Sequence, residues 1–331
     1  MSIAGPRLRR MARAMLPSIV RAVVHWLRRH GRILRDQGPE AYARWTILKA
    51  RLAWMNRRSM HEYRFVSADE ARARRRSDRV FVFGSGYSLN ALTTGEWEHI
   101  AEHDVLGFSG FVYQQWVRTD FHLVRGWDYG EAAAHRRWQS AAETYAAKIA
   151  ANPRFASTLF VMQDEYQAVF ARTLVGCRLL PRGSAILRYR TAAGDTLMPT
   201  RSLADGLAHG TGTLCDVVNL AFALGWKEIV LVGVDLYDSR YFWAPPDATV
   251  AFDASGEMVP AARNFRGTGA ADVHPVVRNG LVDVMARWHG AFAESGVGLC
   301  VYNPRSLLAQ VMPVYEAAPA RTGIAGGQNI L

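Results

Sequence analysis

The sequence predicts an α/β protein, a Rossmann-like parallel sheet covered by helices on both faces, with a basic helical extension at its amino terminus. Three observations carry this. Short apolar runs at Val80–Phe83, Val105–Phe108, Phe121–Val124, Thr158–Met162, Ile229–Val234 and Leu299–Tyr302 are separated by stretches of helical pattern, and that alternation marks a parallel sheet. Ile229–Val234 is apolar on both faces, as a central parallel strand requires. The charge is unevenly placed: residues 1–79 hold 20 Lys/Arg against 6 Asp/Glu, or +14, so the rest of a chain of net +11 carries −3.

The basic excess therefore belongs to the extension, which argues against a nucleic-acid binder and for no nucleic-acid partner. No acidic residue occurs in the first 35 positions, and Leu16, Ile19, Val20, Val23, Val24 and Leu27 recur at helical spacing among arginines. Such a helix suits an anionic membrane surface, met through residues 1–60; packing on the body fits the pattern equally well. The arginines interrupt every apolar run well short of the about 20 residues a membrane span needs. A transit peptide has a similar composition, but cationic character here continues to Arg76, beyond a typical presequence. No secretory h-region is evident. Cys177, Cys215 and Cys300 are far apart and lack metal-ligand spacing, which fits a reducing, cytosolic setting.

In chain order, Arg72–Asp78 reads as an exposed connector, and the strand at Val80 opens the body. Residues 131–151 and 163–175 read as helices, and 181–208 as loops without periodicity. From Thr213, apolar residues at 214, 217, 218, 221 and 224 mark one face of a helix closed by Gly225. Residues 243–272, with Pro245 and Pro246, form a long irregular, lid-like stretch. A helix from Pro275 to Glu294 precedes the last strand and Asn303-Pro304. The chain divides into an extension (1–78), a catalytic body (79–312) and a tail (313–331).

Ligands of open parallel sheets sit beyond the carboxyl ends of the strands. Gly84-Ser85-Gly86-Tyr87-Ser88 follows the first such end: glycines admit a phosphate closely, and exposed amides with Ser85 or Ser88 can donate to it. The same residues suit any tight strand-to-helix turn, and neither a full GxGxxG nor a Walker lysine is present. Gly210-Thr211-Gly212-Thr213 opens the helix before the central strand, where free amides and the dipole attract anions but threonines also serve as caps. Ser109, Arg125, Asp235 and Asn303 follow other strand ends. Tyr237 and Tyr241 can donate to a departing phosphate or pack at a rim. His274, before Pro275 at a helix start, is held neutral by the dipole and can accept a proton, or merely caps the helix. Asp235 and Asp238 are not a DxD pair, and no metal is expected.

Val82-Phe-Gly-Ser-Gly-Tyr-Ser-Leu89, Ala223-Leu-Gly-Trp-Lys-Glu-Ile-Val-Leu-Val-Gly-Val-Asp-Leu-Tyr237, His274 and Asn303-Pro-Arg-Ser-Leu-Leu308 occur in that order. Over residues 79–312 they resemble the bacterial sialyltransferases of glycosyltransferase family 42 and the related MptE-like group, which includes hydroxymethylpterin diphosphokinases. The sialyltransferase resemblance implies metal-independent, inverting transfer from a CMP-sugar, with no cofactor beyond that donor. It makes His274 the general base and Tyr237 and Tyr241 the pair assisting the departing phosphate. Gly84, Gly86 and Ser88 would hold the nucleotide, and Asn303–Leu308, with Ser306, would border the cytidine site. Departures fall at Ser85, where the family has Asn, at Ser109 and Arg125, which replace nucleotide-contacting asparagines, and at His209, near an expected arginine. The expectation is a bacterial glycosyltransferase of surface polysaccharide or glycolipid synthesis, peripheral on the inner face of the inner membrane. Its partners would be a nucleotide-sugar donor and a glycan or lipid-linked acceptor, with an oligomer compatible with the sequence. A Mg²⁺-dependent diphosphokinase of the MptE type and a non-catalytic basic membrane-binding protein are the alternatives.

Overall fold

A computed structural model describes residues 18–125, 134–165, 168–192, 198–237, 240–245, 250–252, 258–260, 277 and 280–316. Its centre is an eight-stranded, wholly parallel sheet. In chain order the strands are β1 (Arg64–Phe65), β2 (Arg79–Phe83), β3 (Asp104–Phe108), β4 (Phe121–Val124), β5 (Leu159–Gln163), β6 (Ala185–Tyr189) and β7 (Glu228–Val232). A two-stranded hairpin, β8 (Val250–Phe252) with β9 (Met258–Pro260), stands apart, and β10 (Gly298–Val301) completes the main sheet. The order across it is β1-β6-β5-β4-β3-β2-β7-β10. From β2 the chain builds outward through β3, β4, β5 and β6, then returns to the other side of β2 as β7. The strand order therefore reverses between β2 and β7, and the carboxyl ends of strands at such a reversal are the usual ligand position in open parallel sheets.

The helices are α1 (Ser18–Ser59), α2 (Ala68–Ala73), α3 (Thr94–Ala101), α4 (Ala134–Ala151), α5 (Val169–Gly176), α6 (Thr213–Leu224) and α7 (Leu281–Glu294). Because alternate strand residues face opposite sides, Val80 and Val82 join the core beneath α6 and α7, which includes Trp226 and Trp288. Phe81 and Phe83 face the α3 side with Ile100 and Phe111. Farther along that side, Phe160, Met162 and Ile186 pack with α4 and α5. Among the described residues no helix is long and apolar enough to cross a membrane.

Four parts of the sequence-based picture change. Within 181–208 lies β6, a strand whose alternation is interrupted by the exposed Arg188. The 243–272 stretch contains the β8–β9 hairpin. Arg72–Asp78 is not a loose connector: a Ser67–Glu70 capping box starts α2, and Asp104, fully buried, accepts from the amides of Arg76 (3.0 Å) and Ser77 (3.2 Å) and from Trp226 Nε1 (2.8 Å). The sheet also begins before residue 79, because β1 pairs with β6. The long α1 breaks at Gly38 (φ 82°), ahead of Pro39, and its second half packs on α5. There Asn56 Nδ2 donates to Arg172 O (2.7 Å) and Ser59 Oγ to Gly176 O (3.0 Å).

Candidate functional site

The turn after β2 and the turn after β7 are locked together. Gly84 N–H donates to Val232 O (2.9 Å) and Gly86 N–H to Gly233 O (2.8 Å). A Cβ on Gly84 would lie 2.5 Å from Gly233 O, and one on Gly86 would collide with the Asp235 carboxylate, so these glycines are needed for close approach of the two turns. Asp235, 2 % exposed, accepts from Ser88 N–H (2.9 Å), Ser88 Oγ (2.5 Å) and Asn303 Nδ2 (2.9 Å). Ser306 Oγ donates to Val234 O (2.6 Å). The amides of Gly84, Gly86 and Ser88 are thus engaged by the neighbouring turn, not exposed to a phosphate as the sequence suggested. Ser88, Asp235 and Ser306 brace the crevice floor. Leu236, next in the chain, has φ 64°, a conformation that surrounding structure must impose on a bulky residue.

Above this floor stand the ligand-facing candidates. Asn303 Nδ2 also donates to the Tyr237 hydroxyl (3.1 Å), and the Arg305 guanidinium lies 5.1 Å from the Tyr237 ring centre. Tyr241 pairs through its backbone with Gly86. The next residue continues the strap: Phe242 N–H donates to Ser85 O (3.1 Å), and its carbonyl accepts from Asn90 Nδ2 (2.8 Å). Trp243 stacks on Tyr241 (centroids 4.6 Å, 14° apart in plane) and on Tyr113 (4.5 Å). Arg240 lies over Tyr87 at 3.9 Å. Ser85 Oγ and Trp243 Nε1 are enclosed with no hydrogen-bond partner among the described residues, an arrangement that calls for an explanation in a polar edge. Ser109, just past β3, has φ 50°.

A second polar group lies on the same carboxyl edge. Arg125 follows β4, two strand positions or about 10 Å from β2. Its Nη1 donates to Asp216 Oδ2 (2.7 Å) and touches His209 Nδ1, which is itself 2.6 Å from Asp216 Oδ2. Asp216, fully buried, is in the first turn of α6. The predicted anion-binding start of that helix is close by: Gly212 N–H donates to His209 O (3.2 Å), Thr211 Oγ1 faces Cys215 Sγ at 4.0 Å, and Thr213 begins α6 without a side-chain cap. Burial first, then the charge of Asp216, pushes the Tyr189 phenol well above its ordinary value. Asp216 Oδ1 and Tyr189 OH have no hydrogen-bond partner among the described residues.

The structure therefore gathers Gly84, Ser85, Gly86, Ser88, Asp235, Tyr237, Tyr241, Asn303 and Ser306 around one crevice, and Arg125, Thr211, Gly212 and Thr213 around a neighbouring cluster. His274 lies outside the described residues. The sequence reading missed Arg305, Trp243 and the His209–Asp216 pair. The last was findable, since an aspartate seven residues after a histidine falls in the first turn of a helix begun at Gly/Thr. Among the described residues, His99, Glu102 and His103 could gather on a metal ion, their ligand atoms lying within 4.8 Å of one another. They sit where α3 leads into the amino end of β3, at the opposite edge from the crevice. There His99 Nε2 is 2.8 Å from Tyr315 OH and His103 Nε2 is 3.1 Å from Arg79.

The fold defines a doubly wound parallel α/β protein whose topological switch point carries polar and aromatic side chains. No family model and no curated protein matches the sequence. Among solved structures the chain is similar to a MAf glycosyltransferase from Magnetospirillum magneticum AMB-1, at TM-score 0.40 and 17% identity, over 70% of this chain and 34% of that one. This chain thus spans about a third of that protein's length.

Proposed function

We propose that this chain is a glycosyltransferase holding a nucleotide-sugar donor in the crevice between the carboxyl ends of β2 and β7. The observation that carries this is the tethered phenol of Tyr237. Asn303 donates to its oxygen and fixes the phenol beside Asp235, and Arg305 lies over its ring. In an inverting displacement the acceptor oxygen attacks the anomeric carbon as the nucleotide phosphate leaves. A phenol and a guanidinium aimed at that phosphate stabilise the charge that develops on it. Tyr241 and Trp243 supply a flat aromatic wall beside the Gly84–Ser88 turn, suited to a base or sugar face. In this reading His274 takes the acceptor's proton and no metal ion is required. By the family resemblance the donor is a CMP-sugar of the sialic-acid type and the acceptor a surface glycan or glycolipid. The enzyme would work on the inner face of the inner membrane.

Thermal denaturation with a nucleotide panel tests it. A ligand that binds the native state alone stabilises by about 2.7 kcal/mol at a hundred times its dissociation constant. CMP or a CMP-sugar should raise the midpoint while ATP with Mg²⁺ leaves it unchanged. Protection by ATP–Mg²⁺ alone would instead favour a diphosphokinase, and inertness toward every nucleotide would end the transferase reading.

A further inference from the structure

The half of α1 after Pro39 has two faces. One buries Trp45, Leu48, Leu52 and Ser59 against the body. The other exposes Ile47 (67 % exposed) and Trp54 (57 %), seven residues or two turns apart, with the exposed Ala43 and Ala50 along the same line. Arg44, Arg51, Arg57 and Arg58 flank this line and are exposed, and the Arg58 guanidinium lies 4.4 Å from the Trp54 ring centre. No carboxylate occurs between Glu40 and Glu62. Single exposed apolar side chains are ordinary. An aligned strip flanked by four arginines, with Glu40 at its amino end paired to Arg44 and no other carboxylate before Glu62, is not.

We propose that this face of α1 is the surface by which the protein lies on an anionic lipid bilayer. The Trp54 indole and the Ile47 side chain enter the boundary between headgroups and acyl chains, and the guanidinium groups of Arg51, Arg57 and Arg58 meet lipid phosphates, Arg44 being paired with Glu40. Charge selects this occupant over a second copy, because two such faces would oppose arginine to arginine. The contact also orients the body. Leu48 and Leu52 cluster with Val169, where α5 begins at the carboxyl edge of the sheet, and Ser59 bonds Gly176, where α5 ends. The helix therefore runs along the strands, and a bilayer beneath it leaves the crevice opening sideways, parallel to the membrane. This surface stands whether or not the crevice binds a nucleotide, and the nucleotide panel above reports on the crevice separately.

The test uses the full chain with Cys177→Ser and a polarity-sensitive dye at Trp54→Cys. A matched Asp69→Cys protein carries the dye on α2, which packs on the opposite side of the sheet and whose Asp69 side chain is 90% exposed. On vesicles containing phosphatidylglycerol the dye at 54 should brighten and shift to the blue, and the dye at 69 should not. Pure phosphatidylcholine should move neither. Ile47→Asn with Trp54→Asn should weaken partitioning roughly tenfold or more, the scale of removing large apolar side chains from a buried surface, with the melting midpoint unchanged. Co-sedimentation without a response at 54 would assign binding to other basic residues and overturn the proposal. So would a response that follows protein concentration in the absence of lipid, or no binding to anionic vesicles at all.

Discussion

Asp235 is where the two turns of the crevice depend on one side chain. Its carboxylate satisfies two donors of Ser88 and one of Asn303 while nearly fully buried. Asp235→Ala leaves those donors unpaired and should lower unfolding stability by about 3 kcal/mol, since each stranded buried group costs on the order of 1–3 kcal/mol; urea titration would measure it. Tyr237→Phe probes chemistry instead. If the phenol stabilises a departing phosphate, kcat should fall roughly a hundredfold with KM little changed, as for loss of one transition-state donor. Steady-state rates with the donor identified by the nucleotide panel would decide, and an unaltered kcat would remove Tyr237 from the mechanism. The sequence placed Ser88, Asp235 and Asn303 at strand ends correctly. It could not tell that they bond one another, because spacing along a chain does not say which other strand end each group will face.

At the scale of elements, β4 meets α4 through an imidazole. His122, fully buried, has Nε2 2.6 Å from the Tyr145 hydroxyl and lies among Phe155 and Phe160. Burial pushes its pKa down to about 3. In the unfolded chain it titrates near 6.5, so above that pH neither state binds a proton here and the site adds no pH dependence. Below about 6.5 the unfolded chain takes up a proton that the folded chain refuses until about pH 3. Stability should fall by about 1.4 kcal/mol per unit across that window and flatten below it. Urea midpoints from pH 7 to 4 should show the slope, and His122→Gln should remove this part of it. Legibility differed among elements for similarly local reasons. β2 and β7, apolar at every position after the first, were plain, and so was α6, ended by Gly225 in the left-handed region (φ 88°). β6 was hidden because Arg188 breaks a five-residue run. α3 was overlooked although Thr93 and Glu96 spell a reciprocal capping box, a signal available from the sequence alone.

Across the whole molecule, Asp104 joins parts remote in sequence: the Arg76–Ser77 connector, the start of β3 and Trp226 between α6 and β7. Asp104→Ala strands two backbone amides and an indole N–H in the core, and the cost should be about 3 kcal/mol or more. A denaturation midpoint close to that of the parent protein would show that the junction holds without it. The layered α/β architecture was readable from the alternation of strands and helices. The order of strands was not, because nothing local states that the chain returns to β2 after building β3 to β6. That return has a consequence for synthesis. β2 is among the first strands off the ribosome, yet its partner on one side, β7, follows about 150 positions later, the Arg79–Glu228 ion pair spanning 149. Until then one hydrogen-bonding edge of β2 stands open on the nascent chain, so maturation should be slow, as for other non-local pairings, and should depend on whatever shields that edge during translation.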